Sequence, residues 1–265
     1  MGSFASILLK PFEVWLAVTY DAFMTTYVVG DIHGCLAELR YLIEQLPLEY
    51  GDRLVFLGDY IDRGPHSMGV VSYLLEFPKQ ANVEAVFLKG NHEDMFLDYL
   101  GLSGNHGDAF LNNGGLATLA SYGIPAPSLG GIDIAEQLPQ AHLKFYHNLE
   151  TFYVVKPYLC VHAGIQPLKK LEEQSAAEMY WIRGEFIRNP HKLPFTVLFG
   201  HTPQKEALFD LPYKIGLDTG LVYGNKLSCL AIEEKVLYQI KRGNKTIQKI
   251  SVHDNWSKKS KLHAP

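Results

Sequence analysis

Between Thr25 and Leu100 the chain alternates short apolar runs with amphipathic stretches. The run at 27–29 meets a GDIHG turn, and Leu36, Leu39, Leu42, Ile43 and Leu46 then recur at the spacing of one helix face. A second run, 54–57, ends in GDYIDRG and is followed by a helical pattern over 68–77. A third, 83–88, ends in KGNHE and leads into a helix over 95–100, with Glu93 and Asp94 in its first turn, where acidic side chains are favoured. Gly30, Gly58 and Gly90 lie 28 and 32 residues apart, close to the roughly 30 residues of one strand-helix-strand unit. The pattern predicts parallel strands with crossover helices.

Residues 101–150 break the rhythm with Gly, Asn and Pro clusters (GLSGNHG, NNGG, GIPAPSLGG) around two helical patterns, so they read as a helical insertion beside the sheet and a place for substrate choice. Strands resume at 152–155 and 158–161, the latter ending at His162, and at 196–199, which ends at GHTP. The short runs at 214–217, 227–232 and 236–240 are separated by turn signals, as antiparallel strands are.

A chain of 265 residues with 47% hydrophobic content can build one substantial core. The expected organisation is an extension over 1–24, a catalytic domain over 25–245 containing the 101–150 insertion, and a basic tail over 246–265. A net charge of −4 gives no overall basic field, so nucleic acid is not indicated as a partner. Residues 241–265 hold seven Lys and Arg against Asp254 alone, which reads as a solvated surface strand and a frayed end. Cys35, Cys160 and Cys229 show no CxxC spacing and fit small buried hydrophobes in a reducing, cytoplasmic setting. In the apolar leader over 1–23, Lys10, Pro11, Glu13 and Asp21 interrupt the run, and no membrane span is expected.

The chemistry gathers where apolar runs end. Asp31 and His33, Asp59, Asn91, His162 and His201 all follow such runs, and in α/β sheets ligand-binding groups collect at the carboxyl ends of strands. One loop can present Asp31 and His33 to a single ion while Ile32 turns into the core. With one aspartate shared, six such donors suffice for a two-metal site once water fills the remaining positions. Oxygen and nitrogen donors without cysteine suit manganese, iron, zinc or a similar ion. Any one of these histidines alone would fit a structural role; five loops ending in ligand side chains point to a site. Neither a GxSxG elbow nor a GxxxxGK[ST] loop is present.

GDIHG, GDYIDRG, GNHE, VHAG and GHTP, in that order over residues 25–240, resemble the phosphoprotein phosphatases of the calcineurin-like metallophosphoesterase superfamily, in their small bacterial and phage form. The resemblance implies an α/β fold with a central β-sandwich of mixed sheets flanked by helices and a dinuclear centre at one sheet edge. By motif, Asp31, His33 and Asp59 would hold the first metal, Asp59 would bridge, and Asn91, His162 and His201 would complete the second. Two divalent ions are implied, manganese first, with iron, zinc or nickel as alternatives. His92 would be the general acid and Asp62 its orienting carboxylate. Arg63 and Arg183 would grip phosphate oxygens, with Asn91 and Tyr223 also contacting the substrate. A lone arginine at 183 could equally be a surface ion-pair partner, and Tyr223 an ordinary hairpin tyrosine.

The implied reaction is direct attack on phosphorus by a water that two cations activate, without a covalent intermediate. The expected substrate is phosphoserine or phosphothreonine in proteins, and phosphotyrosine is open. GDYIDRG and GNHE favour that class, because symmetrical dinucleotide hydrolases resembling this family tend to carry Asp where Glu93 stands. A dinucleoside polyphosphate, or another small or nucleic-acid phosphoester, is the alternative. A non-catalytic metal-stabilised scaffold is the rival of another class, and it gives Asp62, His92 and Arg63 no reason to accompany the ligands. The remaining histidines, His66, His106, His142, His147, His191, His253 and His263, are assigned to surface or structural positions, a place near the cleft being left open for His66 and His106.

Overall fold

The computed structural model describes residues 24–125, 134–258 and 260. The extension expected over 1–24 lies, apart from Met24, outside the described residues, as do 126–133 of the insertion and most of the tail beyond 258.

Period-two alternation builds four layers. In β1 (Thr26–Val29) and β2 (Arg53–Phe56), Tyr27, Val29, Leu54 and Phe56 face a helical layer, whereas Val28, Val55 and the following Leu57 face a second sheet. The helical layer is α1 (Leu36–Ile43), α2 (Ser67–Ala81), α3 (Asn91–Tyr99) and the insertion helices α4 (Gly115–Ser121), α5 (Ile134–Gln137) and α6 (Gln140–His147). With β3 (Glu84–Phe87), β1 and β2 form a parallel set. The later strands β9 (Lys226–Ala231), β10 (Val236–Lys241) and β11 (Gln248–Ser251) extend that sheet antiparallel, giving the order β11-β10-β9-β1-β2-β3. The basic segment after residue 245 thus contains an exposed edge strand.

The second sheet runs β4-β5-β6-β8-β7. Its strands are β4 (Phe152–Val155), β5 (Tyr158–Val161), β6 (Thr196–Phe199), β7 (Leu208–Asp210) and β8 (Lys214–Gly216). Cys160, Leu198 and Ile215 point into the space between the sheets, and Leu159, Val161, Val197 and Phe199 point outward to α7 (Ala176–Trp181) and α8 (Gly184–Arg188). Each fully buried Val, Leu or Phe in these layers contributes about 1.5–3 kcal/mol of transfer free energy. The expected β-sandwich of mixed sheets flanked by helices is what the chain forms. One local expectation differs: the run from 214 is parallel to β6, because β7 forms the hairpin with it and takes the antiparallel edge position. Among the described residues no helix is long and apolar enough to cross a membrane.

The three cysteines are free and buried. Burial pushes the Cys35 and Cys160 thiols up to about 12, so neither is a nucleophile near neutrality.

A buried lysine ties the outer layer down. The Lys214 ammonium, fully buried on β8, donates to the carbonyls of Phe186, Ile187 and Asn189 around the C-terminal end of α8, where a cation is favoured. Burial lowers its pKa from 10.5 to about 8. Between these values the unfolded chain binds a proton that the folded chain has released, so folding stability rises with pH across that window. Urea unfolding at the two ends of the window is expected to show the wild type gaining stability relative to Lys214→Met as pH rises; a flat or falling difference contradicts the lowered pKa.

Candidate active site

The parallel strands β1, β2 and β3 end at one edge of the first sheet, and β5 and β6 end at the matching edge of the second. The loops that leave them bring together all six expected donors. Asp59 lies at the centre. Its carboxylate is 3.4 Å from His33 Nε2, 3.3 Å from His162 Nε2 and 4.0 Å from His92 Nε2. Asn91 Oδ1 lies 3.0 Å from His162 Nε2 and 2.8 Å from His201 Nδ1. Two groups able to hold an ion emerge, His33-Asp59-His92 and Asp59-His162-His201, and they share Asp59. Asp31 is buried against the same cluster, its carboxylate accepting the His201 backbone N–H at 3.0 Å.

The backbone is bent to achieve this. His33, Asp59, Asp62, Arg63 and His201 all hold positive φ, between 47° and 72°, in a region that costs non-glycine residues about 1–3 kcal/mol each. Glycine is required beside two of the ligands: a Cβ at Gly90 would overlap Asp59 Oδ1, and one at Gly200 would overlap Asp31 Oδ1. Glu93, fully buried, fastens the loops to one another. Its carboxylate accepts the backbone N–H groups of Asp59 at 3.0 Å, Tyr60 at 2.8 Å and Gly90 at 3.0 Å, joining the β2 loop to the start of α3.

The proton inventory identifies what the cluster accepts. His162 Nδ1 donates to the Leu57 carbonyl at 2.8 Å and His33 Nδ1 to the Ile61 carbonyl at 2.8 Å. Burial lowers both pKa values, so each ring is neutral and its one proton is already engaged. His162 Nε2 is therefore a bare lone pair facing Asn91 Oδ1 and Asp59 Oδ1, acceptors facing acceptors with no proton between them. His201 is pushed down to about 2 by burial and the neighbouring His162, and it too is neutral. Burial works against the charge on Asp59, and neutral rings lack the charge that would hold its carboxyl below the usual range. Burial, then Asp218 and Asp59, raise Asp31 well above that range; burial and Asp59 also push Glu93 up to about 8 and Asp218 to about 6. Two buried carboxylates, Asp31 and Asp59, with neutral imidazoles and an amide form a donor set that fits divalent cations.

Beside the donors sits a second constellation. His92 Nδ1 is 2.6 Å from Asp62 Oδ2, which leaves Nε2 facing the cluster. Asp62 is fully buried; Thr118 donates to its Oδ1 at 2.6 Å, and its own N–H reaches Thr118 Oγ1 at 2.9 Å and Ser67 Oγ at 3.2 Å. The insertion helix α4 thus braces the dyad. Arg63 donates from Nη1 to His33 Nε2 at 2.6 Å, and its guanidinium lies 5.5 Å from the ring centroid of Tyr223, which is 62% exposed. Arg183, exposed at the start of α8, makes no ion pair among the described residues, which does not fit a surface ion-pair role; its charge reaches His162, His201 and Asp218.

Sequence reasoning passed over Thr118, Ser67, Asp218 and the fastening role of Glu93. For Asp218 a signal existed, since DTG follows an apolar run in the same manner as the other loops. His106 lies close to the site through Trp181, whereas His66 caps the start of α2.

The calcineurin-like phosphoesterase family matches residues 24–219. Bis(5'-nucleosyl)-tetraphosphatase PrpE (asymmetrical) of Bacillus thuringiensis strain Al Hakam is 26% identical, over 78% of this chain and 90% of that protein. The protein of the same name from Bacillus anthracis strain CDC 684 is 27% identical over the same shares. Among solved structures, a putative diadenosine tetraphosphatase superposes with a TM-score of 0.61 at 23% identity, over 83% of this chain and 95% of that one. A cold-active protein-tyrosine phosphatase from a psychrophilic Shewanella superposes with 0.54 at 17% identity, over 85% and 80%, which speaks to the fold alone.

Glu93→Ala strands four buried N–H donors, those of Asp59, Tyr60, Ile61 and Gly90, and is expected to lower the unfolding free energy by about 3 kcal/mol. Urea unfolding measures this, and a loss below about 0.5 kcal/mol, the scale of an ordinary surface substitution, contradicts the fastening role.

Proposed function

The chain belongs to the calcineurin-like phosphoesterase family, and from that premise we propose that it is a dinuclear metal-dependent hydrolase whose substrate is a dinucleoside polyphosphate. The hydrolytic half of this reading rests on the His92-Asp62 dyad, whose His92 Nε2 lies 4.0 Å from Asp59, the carboxylate common to both donor groups. The substrate half is supported by relatives that bear the tetraphosphatase name and align along 90% of their own length.

Asp31, His33, Asp59, Asn91, His162 and His201 would hold the two ions. Bound there, a pair of divalent cations supplies Lewis-acid polarisation of phosphoryl oxygens and a nucleophilic water near neutral pH. The chain's own groups do the rest. Arg63 and Arg183 bind and orient the anionic substrate by charge and N–H donors. Water adds to phosphorus as the bond to the leaving oxygen breaks, and His92 Nε2 gives that oxygen its proton. Asp62 accepts from Nδ1 throughout, fixing the ring and stabilising its cationic form, while Thr118 keeps the Asp62 carboxylate from turning and Ser67 accepts the Asp62 backbone N–H. A scaffold without catalysis would give this dyad no task.

A phosphoprotein substrate, which the GDYIDRG and GNHE loops suggested, is the competing reading. Part of its support came from Glu rather than Asp at position 93. Glu93 is fully buried and fastens backbone, so its identity reports loop geometry and carries no information about what binds.

With manganese supplied, kcat/KM for diadenosine tetraphosphate is expected to exceed that for phosphoserine and phosphotyrosine peptides by at least about tenfold, a difference of one 1.4 kcal/mol step in transition-state binding. The reverse order replaces this substrate class with the phosphoprotein one. His92→Asn is expected to lower kcat by about 10²–10⁴ with a smaller change in KM; unchanged kcat removes His92 from proton transfer.

A further inference from the structure

An aromatic edge stands beside the His201 end of the donor cluster, and the reaction as derived gives it no part. The Trp181 ring, at the end of α7, lies 6.4 Å from the His201 ring, and the His106 ring packs edge-on against Trp181 with centroids 5.0 Å apart. His106 is exposed although the loop around it is firmly built. It holds φ 66°, a left-handed conformation that burdens a side-chain-bearing residue. The next residue, Gly107, donates its N–H to Asp98 Oδ2 at 2.6 Å, and Asn105 Nδ2 donates to the buried Asp94 Oδ2 at 3.3 Å. Asp94 and Asp98 both belong to α3, the helix that begins with Asn91 and His92. The loop is therefore fastened to the element that carries a donor and the general acid, and it presents an exposed ring at a set distance from them.

At the other end of the cluster, Tyr223 lies over Arg63, which bonds to His33. The site thus has one aromatic edge beside each of its two donor groups. A phosphate ester of a side chain needs neither; a polyphosphate carrying a flat base at each end offers one face to each.

We propose that the His106-Trp181 edge is a stacking shelf for one nucleobase of the substrate, which makes His106 a specificity-determining residue. The proposal rests on the dinucleotide reading above. Base stacking on an aromatic side chain is tolerant of base identity, so the shelf would accept any purine nucleoside and select for the presence of a base.

His106→Gly provides the test, because glycine adopts φ 66° without strain and the loop keeps its shape when the ring is removed. In the manganese-loaded full-length protein, KM for diadenosine tetraphosphate is expected to rise about tenfold, kcat to change much less, and the inhibition constant of inorganic phosphate, which has no base, not to follow KM. His106→Phe is expected to return KM toward the wild-type value. If KM and the phosphate constant move together, or neither moves, the shelf is overturned while the dinucleotide reading stands. If the wild type does not hydrolyse the dinucleotide at all, both fall.

Discussion

The structure is organised around one buried carboxylate. Asp59 sits 2% exposed with imidazole nitrogens of His33, His92 and His162 within 3.3–4.0 Å, and it contributes to both groups of donors that can hold an ion. Taking a charged carboxylate out of water is costly unless opposite charge or hydrogen bonds offset it. The protein surrounds it with lone pairs, since the His33 and His162 rings are neutral and have already given their one proton to backbone carbonyls. Such a cluster is stable when cations complete it, and that requirement explains why Asp31, Glu93 and Asp218, each with its affinity for protons raised, are tolerated close by.

Holding that cluster requires rigidity from several directions. Positive φ at the ligand positions, glycines where a Cβ would strike a carboxylate, and the Glu93 carboxylate linking two loops are parts of one solution. The insertion takes part in it. Thr118 on α4 and Ser67 on α2 satisfy Asp62 on both its backbone and side chain, so the proton-transferring pair is braced from outside the sheets. A sandwich whose two parallel sets end at the same edge then brings loops from distant parts of the sequence to one place.

Much of this was legible because both fold and site obey short-range rules. Period-two alternation in 27–29, 54–57, 158–161 and 196–199 states which side chain faces which layer, and each run's end marks where chemistry is offered. Asp31, His33, Asp59, Asn91, His162 and His201 could be found on that logic. Thr118 could not: a threonine within a helical pattern has no signature, and its partner lies 56 residues away. Glu93 looked like an ordinary first-turn acid, and its four backbone partners are invisible without the fold. Strand β7 was missed because a short edge strand loses the alternation that burial imposes, whereas β11 falls in the basic segment read as a solvated surface strand. The direction of β8 depended on β7 and was lost with it.

The central requirement of the site is that Asp59 be common to both cation positions. The direct measurement is the manganese content of purified protein, by elemental analysis after equilibrium dialysis, for the wild type and for Asp59→Asn. Two ions per wild-type chain, with loss of binding at both positions in the variant, is the predicted result. A variant that keeps two ions at undiminished affinity, or a wild type that binds none, contradicts it.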